Sequence, residues 1–201
     1  MNTQRALTFT IVKFGRNEWV EEEMKGMSED KIRNVIMKLV ETHKERAWKN
    51  ERETHYEFFR LLSMKFGPDD IMKNFRWEYP IKTPSYGKTT HPKPAAMDLA
   101  YITEGGFIGI EIELVSAGKG FEDEIEKCIE KFRMTDYLGN RLVKGFLVPL
   151  IDEGRRRNIR IETGVISYKE YFEIQFAKFR AEIKEKGLPV ELITEGVSFR
   201  E

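Results

Sequence analysis

Two glutamates that lie two residues apart in an apolar segment are the first place in this sequence where chemistry could occur. Glu111 and Glu113 belong to GFIGIEIELV, residues 106–115, and their immediate neighbours are isoleucine and leucine. In a β-strand, residues two apart point to the same side, so the two carboxylates share one face of the strand. A carboxylate beside a protein core needs a partner. Either this face is open to water, or a cation belongs there.

A third carboxylate, Asp98, belongs to the preceding predicted strand, residues 95–103, and the turn between the two strands is very short. With a two-residue turn that starts at Glu104, Asp98 faces Glu111. With the turn one residue later, Asp98 faces Glu113. Directly opposed side chains have Cβ atoms roughly 5 Å apart. Either register therefore predicts three carboxylates clustered on one face of the sheet.

Clustered carboxylates repel one another unless a proton or a cation lies between them. Mg²⁺, or Mn²⁺ in its place, prefers oxygen ligands, so we expect Asp98, Glu111 and Glu113 to bind such an ion. A metal ion held this way suits phosphoryl transfer, because it polarises a phosphate oxygen and activates water. The alternative is that the glutamates form the solvated face of an edge strand. The opposed acid and the helix predicted after this strand argue against that alternative.

The apolar pattern from residue 53 onward predicts a helix, three strands, a helix, a strand and a helix. This order predicts an α/β fold in which a central mixed β-sheet is flanked by helices. The predicted segments are a helix from 53 to Gly67, strands at 75–81, 95–103 and 107–115, a helix at 121–138, a strand at 141–151 and a helix at 167–187.

The part of the chain before this core predicts a short strand at 6–14, a short helix at 16–26 and a helix that begins at Ser28, a good N-cap residue. We therefore divide the chain into an N-terminal strand and helical addition, residues 1–52, and a core with a C-terminal helix, residues 53–201.

Composition excludes several classes of protein. The chain has 201 residues, with 34 Lys plus Arg and 34 Asp plus Glu, so net charge does not indicate a nucleic-acid binder. The single cysteine, Cys128, excludes an intrachain disulfide framework and a cysteine-rich zinc site. The three histidines show no metal-ligand spacing. We expect a soluble, cytoplasmic protein without membrane contact, because no apolar run is long enough to span a bilayer. The high charged fraction favours a thermophilic source.

At Asp98, Glu111 and Glu113 the sequence resembles the PD-(D/E)xK nuclease superfamily, which has the restriction-endonuclease-like fold. The resemblance covers roughly residues 53–151, where the predicted order of elements is that of the family core. The family motif is an acid on the second strand and (D/E)-x-K on the third. Asp98 matches the first acid and Glu111 the second, whereas Glu113 stands where most members have lysine. The motif is therefore of the D…ExE kind.

The resemblance implies a metal-dependent deoxyribonuclease that hydrolyses phosphodiester bonds with Mg²⁺ or Mn²⁺. An endonuclease is the first expectation, and the sequence does not separate it from an exonuclease. Glu113 would bind the metal or act as the general base. Alternatively, a lysine reaches the site from elsewhere in the chain: Lys127, Lys131 or Lys88.

Two further acids match positions of the family. Glu57 corresponds to an acid on the first core helix, and Glu78 to an acid on the first strand. Each also has a simpler interpretation, since Glu57 could be an ordinary exposed helix residue and Glu78 could pair with Arg76 or a neighbouring lysine. Both belong to the predicted catalytic set together with Asp98 and the two glutamates.

Two basic segments, residues 82–94 and 154–160, are candidates for DNA phosphate contacts. Because enzymes that cut both strands are often homodimers, a homodimer is also expected, with residues 17–50 as the surface for dimerisation or DNA docking. The rival interpretations are an inactive nucleic-acid-binding or assembly protein that retains the fold, and an enzyme acting on a small phosphorylated substrate. The basic residues concerned are Lys82, Lys88, His91 and Lys93, and Arg155, Arg156, Arg157 and Arg160.

Overall fold

The computed structural model describes residues 18–46, 50–82, 95–115, 119–133, 136, 138–152 and 158–198. The predicted strand at 6–14 and most of both basic segments lie outside these residues. The helices are α1 (Glu18–Arg46), α2 (Glu51–Phe66), α3 (Pro68–Asn74), α4 (Lys119–Lys131) and α5 (Tyr168–Glu185). The strands are β1 (Phe75–Ile81), β2 (Ala95–Thr103), β3 (Gly106–Val115), β4 (Leu142–Asp152), β5 (Asn158–Ile161), β6 (Gly164–Ser167), β7 (Val190–Leu192) and β8 (Val197–Ser198).

A mixed sheet forms the centre of the molecule, which confirms the predicted α/β class. Its strand order is β1-β2-β3-β4-β7, and β8 also pairs with β4. The first three strands form an antiparallel meander, whereas β4 runs parallel to β3 and β7 runs parallel to β4. Strands β5 and β6 form a separate hairpin.

Helices cover both faces of the sheet. Side chains of α1 and α2 pack on the face formed by Ile108, Ile110 and Ile112, and those of α4 and α5 pack on the opposite face around Phe107. This alternation along β3 is the one that strand parity predicts. Helix α1, which lies within the predicted addition at 1–52, contributes to the same hydrophobic cluster as α2. None of the described helices is long and apolar enough to span a bilayer.

Three helix boundaries differ from the sequence-based expectation. Helix α1 continues through Ser28, because the helix that follows buries Ile32 and Ile36 and this burial favours one long element over a new start. Pro68 begins α3 rather than marking the end of structure, which suits proline at the first position of a helix. Helix α4 ends at Lys131, seven residues before the predicted end at 138, because the chain there is bound by the carboxylate of Asp136.

The β5–β6 hairpin was not predicted, because strands this short carry too little alternation to be recognised in a sequence. Its strands are only four residues each, and Ile159, Ile161 and Ile166 pack against the cluster that includes α5. The hairpin therefore belongs to the α4 and α5 side of the sheet.

Candidate functional site

The β2–β3 hairpin determines where the acids lie. Thr103 pairs with Gly106, so the turn consists of Glu104 and Gly105, which is the first of the two predicted registers. The antiparallel ladder runs back to the pair of Leu99 and Ile110. From there β2 remains paired with β1, and β3 with β4, so the two strands separate. Asp98 and Glu111 are the next residues on either side of the opening.

The side chains of Asp98 and Glu111 take over the hydrogen bonds of the interrupted ladder. The Glu111 Oε1 atom accepts a hydrogen bond from the backbone amide of Asp98 at 3.2 Å. The Asp98 Oδ2 atom accepts one from the backbone amide of Ile112 at 2.8 Å. Backbone amides in a sheet need such partners. The opening between the strands therefore fixes both carboxylates in place.

Glu111 is completely buried and has a lysine as its partner. The Lys131 Nζ atom on α4 lies 2.6 Å from Glu111 Oε2. Burial and the charge of Asp98 raise the pKa of Glu111, Lys131 lowers it, and the net result is a pKa of about 8. Burial alone would lower the pKa of Lys131, but Glu111 and its acidic neighbours raise it overall. Lys131 therefore stays charged, and the two glutamates beside it hold their protons to higher pH than usual.

Glu113 lies on the same side of the sheet, partly buried beside Cys128. The Cys128 Sγ atom donates to Glu113 Oε1 at 3.1 Å. Burial raises the pKa of Glu113, and this hydrogen bond partly offsets the rise. Burial also raises the pKa of the Cys128 thiol, with the two glutamates adding to the effect. One ligand atom each from Glu111, Glu113 and Cys128 lies within 4.8 Å of the others.

Asp98 has its other neighbours on α2. The His55 Nε2 atom lies 3.8 Å from Asp98 Oδ2 and 3.8 Å from Glu51 Oε1. Asp98 is the main cause that raises the pKa of His55. Glu51, His55 and Asp98 form a second group whose ligand atoms lie within 4.8 Å of one another. The three predicted metal ligands are thus split between two adjacent groups, with Asp98 in one and both glutamates in the other.

The remaining predicted acids belong to α2 and β1. Glu57 is buried on α2 and forms an ion pair with Arg60 at 2.6 Å. Glu78 is exposed on β1, and the register of its neighbours in the sheet places it alongside Asp98. Its φ of 46° is the one positive value among the described non-glycine residues. Such backbone strain clusters at functional sites.

The structure shows which of the candidate lysines reaches the acids. Lys131 contacts Glu111 directly, whereas Lys127 is exposed and pairs with Glu124. Lys88 lies outside the described residues. Of the predicted DNA contacts, Lys82 follows the end of β1 and Arg160 is exposed on β5. The others, also outside the described residues, are His91, Lys93, Arg155, Arg156 and Arg157.

Sequence reasoning missed the contribution of α2. Glu51 and His55 are four residues apart, a spacing that places both side chains on one face of a helix. The three histidines match no common zinc-ligand spacing among themselves, and for that reason no metal site was predicted from them. The spacing of Glu51 and His55 was the available signal.

The arrangement can bind a cation and hold or move a proton. It combines buried carboxylates with raised pKa values, a charged amine and a partly buried imidazole. Perturbed ionisable groups of this kind concentrate at functional sites. None of the protein families, curated proteins and solved structures compared with the chain matches it.

Proposed function

We propose that the chain is a metal-dependent nuclease with a restriction-endonuclease-like core, which hydrolyses phosphodiester bonds in DNA with Mg²⁺ or Mn²⁺. The observation that carries the proposal is the opening between β2 and β3, where Asp98 and buried Glu111 meet and Lys131 lies 2.6 Å from Glu111. The order of α2, the β1–β3 meander, α4 and β4 supports it, because this is the order of the family core.

The donor set fits a divalent cation. The pKa values of Glu111 and Glu113 are both raised, since burial and the charge of Asp98 act on both. A divalent cation would favour the ionised forms of these carboxyl groups, and carboxylate oxygens are the ligands that Mg²⁺ and Mn²⁺ prefer. Asp98 lies in one ligand group and Glu111 and Glu113 in the adjacent one, so the three carboxylates would have to close around the ion to hold it. The ion would supply polarisation of a phosphate oxygen and a bound water of lowered pKa.

Lys131 takes the role of the family's lysine in this proposal. Its amine reaches the site from α4 rather than from the third strand, and it remains protonated beside Glu111. A charged amine stabilises negative charge that develops on the phosphate. Glu113 is partly exposed and has a raised pKa, which suits the acceptance of a proton from the attacking water.

A cleavage panel tests the proposal. Linear, nicked, flapped and four-way DNA are incubated with the protein and either Mg²⁺ or Mn²⁺. We expect cleavage of at least one form, and a loss of about 100-fold or more in Asp98→Asn and Glu111→Gln, because each removes a charged group at the reacting centre. Glu126→Gln is the matched control, since this acid lies on α4 and pairs with Lys178 on the surface.

The second candidate is a nucleic-acid-binding protein without catalysis. The observation in its favour is that Glu111 is 0% exposed and closed off by Lys131, as a purely structural ion pair would be. Salt-dependent DNA binding without cleavage under any metal would favour this candidate. Folded Glu111→Gln protein that cuts DNA as fast as the wild type would overturn the catalytic assignment. The homodimer stays a prediction, and sedimentation of the chain with and without DNA tests it.

A further inference from the structure

The first turn of α2 presents two potential ligands towards β2. Asn50 caps the helix, and its side chain accepts a hydrogen bond from the backbone amide of Glu53 at 3.0 Å. This cap fixes where the helix begins, so Glu51 and His55 lie one turn apart on the same face. Trp77 of β1 packs beside the imidazole, with ring centroids 6.1 Å apart. The imidazole is thus held between the helix and the sheet.

The imidazole nitrogen of His55 lies at the same distance from two carboxylate oxygens and bonds to neither. The Nε2 atom is buried and makes no hydrogen bond among the described residues. Its distances to Glu51 Oε1 and Asp98 Oδ2 are both 3.8 Å, too long for a hydrogen bond. Two ligand atoms that share one ion at roughly 2.1 Å lie about 3 to 4 Å apart. Both distances from the His55 Nε2 atom fall in this range.

We propose that Glu51, His55 and Asp98 bind a divalent transition metal, of the Mn²⁺, Co²⁺ or Zn²⁺ class, at a site separate from Glu111 and Glu113. The imidazole determines which metal is preferred, because a nitrogen ligand binds these ions more favourably than it binds Mg²⁺. An ion here satisfies the buried Nε2 atom and offsets the two carboxylates. Three protein ligands leave positions open for water.

This site does not depend on the proposed nuclease activity. Asp98 belongs to both, but its Oδ2 atom faces His55, and Glu51 and His55 play no part in the hydrolytic proposal. The ion would lie on the α2 side of the opening between β2 and β3, whereas Glu111 and Glu113 face α4. The two proposals can therefore fail separately.

Titration of the full chain with Co²⁺ tests the site by two readouts. Co²⁺ bound at His55 quenches the fluorescence of the neighbouring Trp77, and calorimetry measures the affinity. We expect His55→Phe, which retains a ring beside Trp77, to weaken binding at this site by at least about tenfold. Glu51→Gln is expected to weaken it also, and because Glu51 is exposed this variant keeps its fold. Glu53→Gln, on the same turn, is the matched control and should bind as the wild type does.

Two further variants show whether the fluorescence quenching and the calorimetric binding both come from this site. Trp77→Phe should remove the quenching while calorimetry still detects the ion. Glu111→Gln should retain Co²⁺ binding and quenching, since Glu111 belongs to the other group. Unchanged Co²⁺ affinity in both His55→Phe and Glu51→Gln would overturn the proposal, as would the absence of Co²⁺ binding at millimolar concentration. A chain that binds Co²⁺ through His55 and cuts no DNA would support this site and contradict the nuclease proposal.

Discussion

Two buried carboxylates on the α4 side of the molecule have opposite surroundings. Asp136, 2% exposed, lies in the loop before β4 and accepts hydrogen bonds from the Tyr79 hydroxyl and from the backbone amides of Leu138 and Asn140 at 2.8 and 2.7 Å. The Asn140 side chain adds a further bond at 2.6 Å. Glu111 is equally buried, but its neighbours are a lysine and two other acids.

The pKa values of these two groups move in opposite directions. Burial alone would raise the pKa of Asp136, but its hydrogen bonds from Tyr79 and Asn140 lower it overall. Burial and the charge of Asp98 raise the pKa of Glu111 in spite of Lys131. Burial by itself therefore does not mark a functional carboxylate. Crowding with like charge is what distinguishes Glu111 from Asp136, and the proposed site rests on that difference.

Removal of the Asp136 carboxylate should cause the largest loss of stability. Asp136→Ala leaves the hydroxyl of Tyr79 and two backbone amides without their acceptor, and each unsatisfied buried group costs about 1–3 kcal/mol. We expect the free energy of unfolding to fall by about 3 kcal/mol, measured by urea denaturation. Tyr79→Phe removes one donor and should cost only about 1 kcal/mol. A loss below about 0.5 kcal/mol in Asp136→Ala would contradict the structural role.

Removal of Lys131, the partner of Glu111, should lower the free energy of unfolding by less than removal of the Asp136 carboxylate. Lys131→Met leaves Glu111 buried without a cation, and breaking a buried pair costs about 3–5 kcal/mol. Lys131 is 24% exposed and Glu111 can take up a proton, so we expect a loss of about 2 kcal/mol. In a Glu111→Gln background the same substitution should cost under about 1 kcal/mol. Lys127→Met is the control on the same helix. Equal costs in both backgrounds would show that the pair is not coupled.

The pH dependence of stability should differ in sign between the two acids and is the smallest effect. The pKa of Asp136 is lowered from 3.8, so its contribution is present above that pH and is lost as the pH falls. The pKa of Glu111 is raised from 4.5 to about 8, so its contribution is present below pH 4.5 and is lost as the pH rises towards 8.

Urea unfolding in metal-free buffer from pH 2 to pH 9 measures both contributions. Compared with the wild type, Glu111→Gln should reduce the loss of stability at rising pH, and Asp136→Asn should reduce the loss at low pH. Curves for both variants that run parallel to that of the wild type would contradict the assigned shifts.

The local structure around the site could be predicted from the sequence. Strands β1 and β2 begin and end at the predicted residues, because turn and helix-ending residues bound their apolar patterns. The short turn narrowed the pairing of Asp98 to two registers, and one of them is present. Strand parity does not reveal that β2 and β3 separate at Asp98. It therefore could not show that Asp98 turns towards α2 while the glutamates face α4.

Contacts between distant elements could not be predicted. Lys131 and Cys128 reach Glu111 because α4 packs across β3, and His55 reaches Asp98 because α2 packs on the opposite face. These contacts depend on how helices are placed on the sheet, which local periodicity does not specify. The bonds around Asp136 depend in the same way on the return of the chain into β4.

The location of bound Mn²⁺ tests most directly the claim that the acids around Asp98 form a metal centre and Asp136 does not. Crystals of the full chain, soaked with Mn²⁺, are measured at the manganese absorption edge. We predict anomalous density in the opening between β2 and β3, within coordination distance of Asp98, and none beside Asp136. Density beside Asp136, or no density near Asp98 at a saturating Mn²⁺ concentration, would contradict the account.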